Sequence, residues 1–441
     1  MTDDRIDRLA DELRARVSER LVHEVQARGP SAMSAADRRA AGASLLRAAL
    51  ADHARACIEG GRPVVSPDDE DAVFARVISE LFEMGALQQY LEDPTVMEVN
   101  ATGLRTWIRR TDGTKEAGPP LARSNAALVE LIRMLASQAG AGGEARLDAA
   151  HPKLDRQLPN GDRLFALIEV SAEPILRIRR HNFIDLVSLP QLRDAGMLDE
   201  ALCRLLTAAV LAKLNVIICG GTGTGKTTLL RAMCNVIPPE ESLALIEDSP
   251  ELGLDRFPDL HPDLASVWAR EPNIEGEGEV TIADLTRWML RANADRIIVG
   301  EVRGAEVIPM LSAMALGTQG SLCSVHSNSS KSVFSKLATY AVQAPERLPL
   351  EATNQLIASA VDLVVHVERD DRRGAKVRRY VSSVRQVVGA DGPMVVSNEV
   401  FVPGPDLRAV PGTPLTAEVL ARLEGCGFDA GLLERRDGWW R

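Results

Sequence analysis

The sequence predicts an α/β protein in three main parts: a helical N-terminal extension, an α+β domain, and a larger domain built on a parallel sheet. Three observations carry that reading. Apolar residues recur at three- and four-residue steps through the opening segment. Short strand-like runs broken by turn dipeptides begin near residue 87. Beyond residue 198, buried apolar strands alternate with helices, as in a parallel sheet with crossovers. The expected divisions are a helical extension at 1–70, the α+β domain at 71–181, a linker at 182–197, the parallel-sheet domain at 198–400 and a C-terminal tail at 401–441.

In the extension, Ile6, Leu9, Leu13, Val17, Leu21 and Val25 form one helical stripe, and Gly29-Pro30 stops it. A second helix is expected from about 34 to 59, ending at Gly60-Gly61-Arg62-Pro63. The third has a clear start: Ser66 can cap, Pro67 suits the first helical position, and the acids at 68–71 favour the positive helix end. In the α+β domain, residues 95–100, 106–110 and 163–170 read as strands. They are punctuated by Asp93-Pro94, Thr111-Asp112-Gly113 and Pro159-Asn160-Gly161-Asp162, and 125–139 has helical spacing. Residues 181–196, with Pro190 and Gly196, read as a linker. Near the end, 363–368 and 377–388 flank an expected hairpin turn at Asp370-Asp371-Arg372-Arg373-Gly374. The tail is rich in Pro and Gly before a short helix at 417–424.

Composition narrows the function. The 441 residues suffice for several cores, and 45% hydrophobic with 26% charged residues is an ordinary globular balance. Lys plus Arg number 51 against 62 Asp plus Glu, a net charge of −11 that weighs against gripping nucleic acid along the whole chain. Six scattered cysteines, none in a CxxC pair, suit buried free thiols in a reducing compartment. The charged opening MTDDRIDRLADELRARVSER is unlike a signal peptide, and no apolar run approaches the ~20 residues of a spanning helix. The expected location is therefore the cytoplasm, with membrane contact made through a partner.

The strongest motif is Gly220-Gly221-Thr222-Gly223-Thr224-Gly225-Lys226-Thr227, a complete GxxxxGK[ST] phosphate loop. An apolar strand at 215–219 feeds it and a helix at 228–235 follows. Glycines leave backbone N–H groups free to curl around phosphate oxygens, and the helix N-terminus adds positive potential. Lys226 is expected to reach the β- and γ-phosphates, and the Thr227 hydroxyl to ligate Mg²⁺. Such a loop needs a carboxylate at a neighbouring strand end. Two strands supply one: 243–246, followed by Glu247-Asp248 with Glu251 close behind, and 297–299, followed by Gly300-Glu301. His326 follows a third short strand at 321–325. Arg270, Arg287, Arg291 and Arg303 flank the Glu301 strand.

In this order, the motifs make the chain resemble the secretion and pilus-assembly ATPases of the type II/type IV superfamily, most closely the CpaF-like branch serving tight-adherence pili. The resemblance rests on GGTGTGKTTLL at 220–230, LIEDSPEL at 245–252, REPNIEGEGEVTIADL at 270–285, DRIIVGEVRG at 295–304, GSLCSVHSN at 320–328 and QLIASAVDLVVHV at 355–367. Upstream, LEDPTVMEVN at 91–100, RLDAAHPKLDRQLPNGDRL at 146–164 and LRIRRHNF at 176–183 look like the family's N-terminal domain.

The resemblance implies a RecA-like C-terminal domain, a homohexameric ring, and ATP held between the two domains near the adjoining subunit. It places the P-loop on 220–228, so that Gly220, Gly221, Thr222, Gly223, Thr224, Gly225, Lys226, Thr227 and Thr228 hold ATP. It places the Asp box on Glu247, Asp248 and Glu251, the Walker B acid on Glu301, and the final His-box histidine on His326. Arg270, Arg287 and Arg291 match arginines used near the subunit interface. Arg177, Arg179 and Arg180 match the basic run where the N-terminal domain faces nucleotide. Either Glu247 or Glu251 would act on the attacking water, with Glu301 supporting a Mg²⁺ shell. The mechanical output would pass to an inner-membrane pilus or secretion platform protein from the inner face of the cytoplasmic membrane. A conjugation-type ATPase or nucleic-acid motor, and a non-hydrolysing nucleotide-gated scaffold, are the competing readings. Two positions depart from the CpaF-like pattern: Thr318 stands where GHDGS has its histidine, and Ser249-Pro250 differs from the usual Asp-box spacing residues.

Overall fold

A computed structural model describes residues 3–28, 35–82, 85–138, 147–158, 160–180, 187–270, 272, 276–371 and 377–440. These fall into two compact units, one drawn from described residues up to 180 and the other from 187 onward.

The first unit opens with three helices, Asp3–Arg28, Ala35–Glu59 and Pro67–Phe82. Their apolar stripes meet in a small core containing Leu13, Val17, Leu46, Leu50, Val73 and Val77. Ser66 caps the third helix, its Oγ accepting from Asp69 N at 3.2 Å. Six strands follow: β1 (Val96–Thr102), β2 (Arg105–Arg110), β3 (Lys115–Gly118), β4 (Lys153–Gln157), β5 (Arg163–Leu167) and β6 (Ile175–Arg179). They form an antiparallel sheet in the order β3-β2-β1-β6-β5-β4. Two-residue alternation buries Val99, Ala101, Leu164, Ala166, Leu176 and Ile178 in one core with Leu128, Ile132 and Leu135 of helix Asn125–Gln138.

The second unit is a sheet of nine strands. In chain order they are β7 (Val216–Gly220), β8 (Leu243–Glu247), β9 (Leu264–Trp268), β10 (Arg296–Val302), β11 (Leu322–His326), β12 (Leu363–Asp370), β13 (Arg378–Asp391), β14 (Met394–Pro403) and β15 (Ala409–Pro411). The spatial order is β15-β14-β13-β12-β7-β11-β10-β8-β9. From β12 to β9 all neighbours are parallel, and β12 to β15 continue the sheet antiparallel. One strand, β11, separates the strand that feeds the phosphate loop from the strand that carries Glu301, which is the RecA-like arrangement. Every residue of β7 and β8 is buried, because crossover helices cover both faces. One core packs helix Glu200–Leu211 and helix Lys226–Cys234 on the sheet, and a second packs helices Val307–Leu316 and Ser332–Gln343 on the other side.

Two segments differ from the expected division. Of the expected linker at 182–197, residues 182–186 lie outside the described residues. The remainder is not a free connection. Ser188 and Gln191 form a capping box on helix Leu189–Asp194, and Leu189 and Leu192 enter the core of the second unit. The expected tail at 401–441 also folds into this unit. Phe401 lies in β14, β15 extends the sheet, and Leu415, Val419, Leu423 and Phe428 join the same core. Asp199, buried at the start of helix Glu200–Leu211, accepts from Trp439 N at 2.8 Å and ties the end of the segment down. Five cysteines are buried, Cys426 is partly so, and all are free thiols.

Candidate functional site

The phosphate loop leaves β7 at Gly220 and enters the helix at Lys226. Its glycines are there for space and for backbone angle. A Cβ on Gly220 would sit 2.3 Å from Val367 O of β12. Gly223 and Gly225 have φ of 72° and 100°, the left-handed region that side chains disfavour. Thr224 Oγ1 donates to Gly221 O at 3.0 Å and draws the loop into a closed curl. Lys226 is buried, and its Nζ donates to Gly221 O at 2.9 Å and to His326 Nδ1 at 3.2 Å.

His326, at the end of β11, turns its other ring nitrogen to Glu301 Oε1 at 2.7 Å. A lysine ammonium has no acceptor, so Nδ1 must accept from it and Nε2–H must donate to the carboxylate. Burial lowers the His326 pKa; the Glu301 charge opposes this, while Lys226 and Arg303 add to it. The ring is therefore neutral at pH 7 and links the loop lysine to the acid on β10. Beyond it, Arg303 Nε donates to Glu301 Oε2 at 2.6 Å, and the Arg303 guanidinium reaches Asp248 Oδ2 at 3.0 Å. Four motifs far apart in sequence thus meet in one chain of contacts. Glu306 fixes the turn after β10 by accepting from Gly304 N at 2.8 Å and from Arg303 N.

The Asp-box acids have different surroundings. Glu247 is 3% exposed, and its Oε1 accepts from Glu251 N and Leu252 N, both at 2.9 Å. Burial pushes its pKa up to about 7, against those two backbone hydrogen bonds. Gly300 on β10 makes the space: a Cβ there would lie 3.0 Å from Glu247 Cγ. Glu251 and Asp248 are both partly exposed, and Asp248 pairs with Arg303. Arg231, on the helix that follows the phosphate loop, donates to Leu252 O and Glu251 O, each at 2.8 Å. It ties the Asp-box loop to the phosphate-loop helix.

The other expected residues lie elsewhere. Arg270 follows edge strand β9, with β8, β10 and β11 between that strand and β7; it bridges to Val280 and donates to Gly278 O at 2.8 Å. Arg287, on helix Ile282–Met289, pairs with Glu346 at 2.9 Å, and Arg291 is exposed just beyond that helix. The structure does not bring these three to the loop of their own chain. Thr227 and Thr228 lie in the first turn of the loop helix, partly exposed. In the first unit, Glu98, Asn100, Arg163, Phe165, Arg177 and Arg179 line a shallow cleft on the sheet. Arg177 is spent on Ala101 O and Thr102 Oγ1, and Arg180 on Tyr90 O and Asp93 O, whereas Arg179 is exposed. Thr318, the departure from the CpaF-like pattern, has a local structural role: its Oγ1 donates to Ala313 O at 2.6 Å at the end of helix Val307–Leu316.

Sequence reasoning missed Arg231, whose place on a helix gave no hint of a backbone partner 21 residues away. It also missed Arg369 and Arg379, which the β12–β13 hairpin carries to Gly223.

The strand order and the loop–histidine–acid chain define a RecA-like nucleotide-binding domain. Residues 94–391 match the family described as Type II/IV secretion system protein. A putative conjugal transfer protein of Mycobacterium tuberculosis is 34% identical over 73% of this chain and 90% of its own. The type IV secretion system protein PtlH of Bordetella pertussis is 29% identical over 70% of this chain and 96% of its own. Among solved structures, the Legionella pneumophila ATPase DotB aligns with a TM-score of 0.48 and 18% identity, covering 79% of this chain and 87% of that one. The chain belongs to the type II/IV secretion system protein family.

Proposed function

We propose that this protein is a cytoplasmic, Mg²⁺-dependent ATP hydrolase that works as a homohexamer at the inner face of the cytoplasmic membrane. In this reading it drives pilus assembly or protein secretion through an inner-membrane platform protein, in the manner of the CpaF-like branch. The observation that carries it is the hydrogen-bonded chain from Lys226 through His326 to Glu301, which joins the phosphate loop to the acid two strands away.

The residues present suit MgATP. The glycine curl opens backbone N–H groups at the start of the nine-residue helix Lys226–Cys234, and the Lys226 ammonium reaches a loop carbonyl and the neutral His326 ring, contacts that an anion can displace. Thr227 and Glu301 would hold Mg²⁺, which when bound supplies positive charge against the phosphate oxygens and keeps several waters. Lys226 binds the β- and γ-phosphates. Glu247 takes the proton of the attacking water, since a carboxyl poised near pH 7 is matched to that task. Arg231 holds the loop on which Glu247 depends. Glu251, with its carboxylate nearer solvent, orients the water's approach. Arg270, Arg287 and Arg291 would serve the site of an adjoining subunit. His326 carries the presence of the γ-phosphate from Lys226 to Glu301.

Purified protein should release phosphate from ATP only with Mg²⁺, and Lys226→Ala should bind no nucleotide; equal binding by that variant would refute the assignment. The relatives described as conjugal transfer proteins favour a second cargo, nucleic acid. Turnover stimulated by DNA and lost as salt rises would select that reading.

A further inference from the structure

Gly220 pairs in register with Val367 of β12, on the opposite flank of β7 from β11, His326 and Glu301. Two residues further along β12 stands Arg369, and its cross-strand partner on β13 is Arg379. The next pair, Asp370 with Arg378, is an ordinary opposite-charge pair at 3.1 Å. Arg369 and Arg379 instead set two guanidinium groups directly across from each other, an arrangement that destabilises a sheet unless something offsets it.

Both side chains are aimed at the phosphate loop. Arg379 Nε donates to Gly223 O at 3.0 Å. Arg369 carries a guanidinium nitrogen to 3.1 Å from where a Cβ of Gly223 would be. Burial, and then the neighbouring Arg369 charge, lowers the Arg379 pKa. Arg369 Nε is buried with no hydrogen-bond partner among the described residues, and the carboxylate on Arg369, Asp371, is an exposed one at 3.3 Å. Two crowded cations at the tip of an anion-binding loop, one with a buried Nε that no described residue satisfies, make a site suited to negative charge.

We propose that Arg369 and Arg379 form a phosphate clamp acting on the nucleotide bound by the same chain: Arg379 positions the loop tip through Gly223, and Arg369 binds the phosphate chain from the β12 flank. This rests on the reading of 220–228 as the ATP site and adds to it. In that division of work, the β11 and β10 flank carries the reaction and the β12 and β13 flank carries affinity. An always-charged planar fork suits a phosphate group, and lysine would replace only part of it.

The test uses the full chain with MgADP and MgATP, measuring affinity at several salt concentrations and steady-state turnover. Arg369→Ala should weaken both nucleotides at least about tenfold, flatten the salt dependence, and raise KM while kcat changes by less than about threefold. Arg369→Lys should recover part of the loss, and Arg379→Ala should weaken both nucleotides about as much as Arg369→Ala. Arg378→Ala, on the neighbouring pair, should bind as the parent does. Affinity unchanged in Arg369→Ala, in a protein whose Lys226→Ala form has lost binding, overturns the clamp and leaves the ATP site standing. Binding that survives Lys226→Ala overturns both. A ring that falls apart in Arg369→Ala without any change in nucleotide affinity would assign the arginines to a neighbouring subunit's carboxylate, and overturns the clamp as well.

Discussion

The ends of β8 and β10 carry acids that look interchangeable in sequence, yet the two have been given opposite surroundings. Glu301 is paired with Arg303 on one side and His326 on the other, at the edge of the loop. Glu247, on the adjacent strand, is buried and accepts from two backbone N–H groups of the Asp-box loop. The first arrangement suits holding a cation; the second suits taking a proton.

The largest expected effect breaks this comparison outright. Glu247→Gln should cut turnover by about 10²–10⁴-fold while MgATP affinity stays within about threefold, because a general base acts on the reaction and not on binding. Turnover close to that of the parent would move the proton to Glu251 or Glu301. Next comes stability. The Glu247 pKa is raised from 4.5 to about 7, so its stabilising contribution is present below about pH 4.5 and is lost as pH rises through about 7. That loss amounts to at most about 3 kcal/mol. Urea unfolding of the parent and of Glu247→Gln at pH 5 and pH 8 should therefore differ in the glutamine form's favour at the higher pH. A constant difference would show that the carboxyl is not buried as seen here.

A comparable effect tests the partition between the strands. Gly300→Ala places a methyl against Glu247 and should cost about 1–3 kcal/mol by overpacking, read as a lower unfolding midpoint. A neutral result would mean that β8 and β10 can separate freely. Smaller again, Glu301→Gln should raise the Mg²⁺ concentration needed for half-maximal turnover by about tenfold, with nucleotide affinity in excess Mg²⁺ little changed. An unaltered Mg²⁺ dependence would take Glu301 out of the metal shell.

Much of the nucleotide domain was legible because the relevant signals are local. A complete phosphate loop between a buried strand and a helix, and acids just past apolar strands, are readable without knowing which strands are neighbours. The difference between Glu247 and Glu301 was not, because it arises from what lies across the sheet: Gly300 packs on one acid, His326 and Arg303 hold the other. Arg369 and Arg379 were hidden for the same reason, since only the register of β12 on β13 puts them opposite each other. Residues 187–197 and 401–440 read as connection and tail because Pro190 and Gly196 interrupt the first and the start of the second is broken by Pro403-Gly404-Pro405 and Pro411-Gly412. Their apolar residues are not set at a regular spacing, but Leu189 and Leu192, and then Leu415, Val419, Leu423 and Phe428, each find the same core. Short segments carry too few residues for their periodicity to stand out.

The base proposed above is Glu247, a buried carboxyl whose pKa burial raises to about 7. Turnover with saturating MgATP, followed from pH 5.5 to 8.5 on the same samples used for unfolding, tests this most directly. The prediction is that turnover climbs through about pH 7 while stability declines over the same range, both trends vanishing in Glu247→Gln. A turnover profile flat across pH 7 in the parent protein would contradict it.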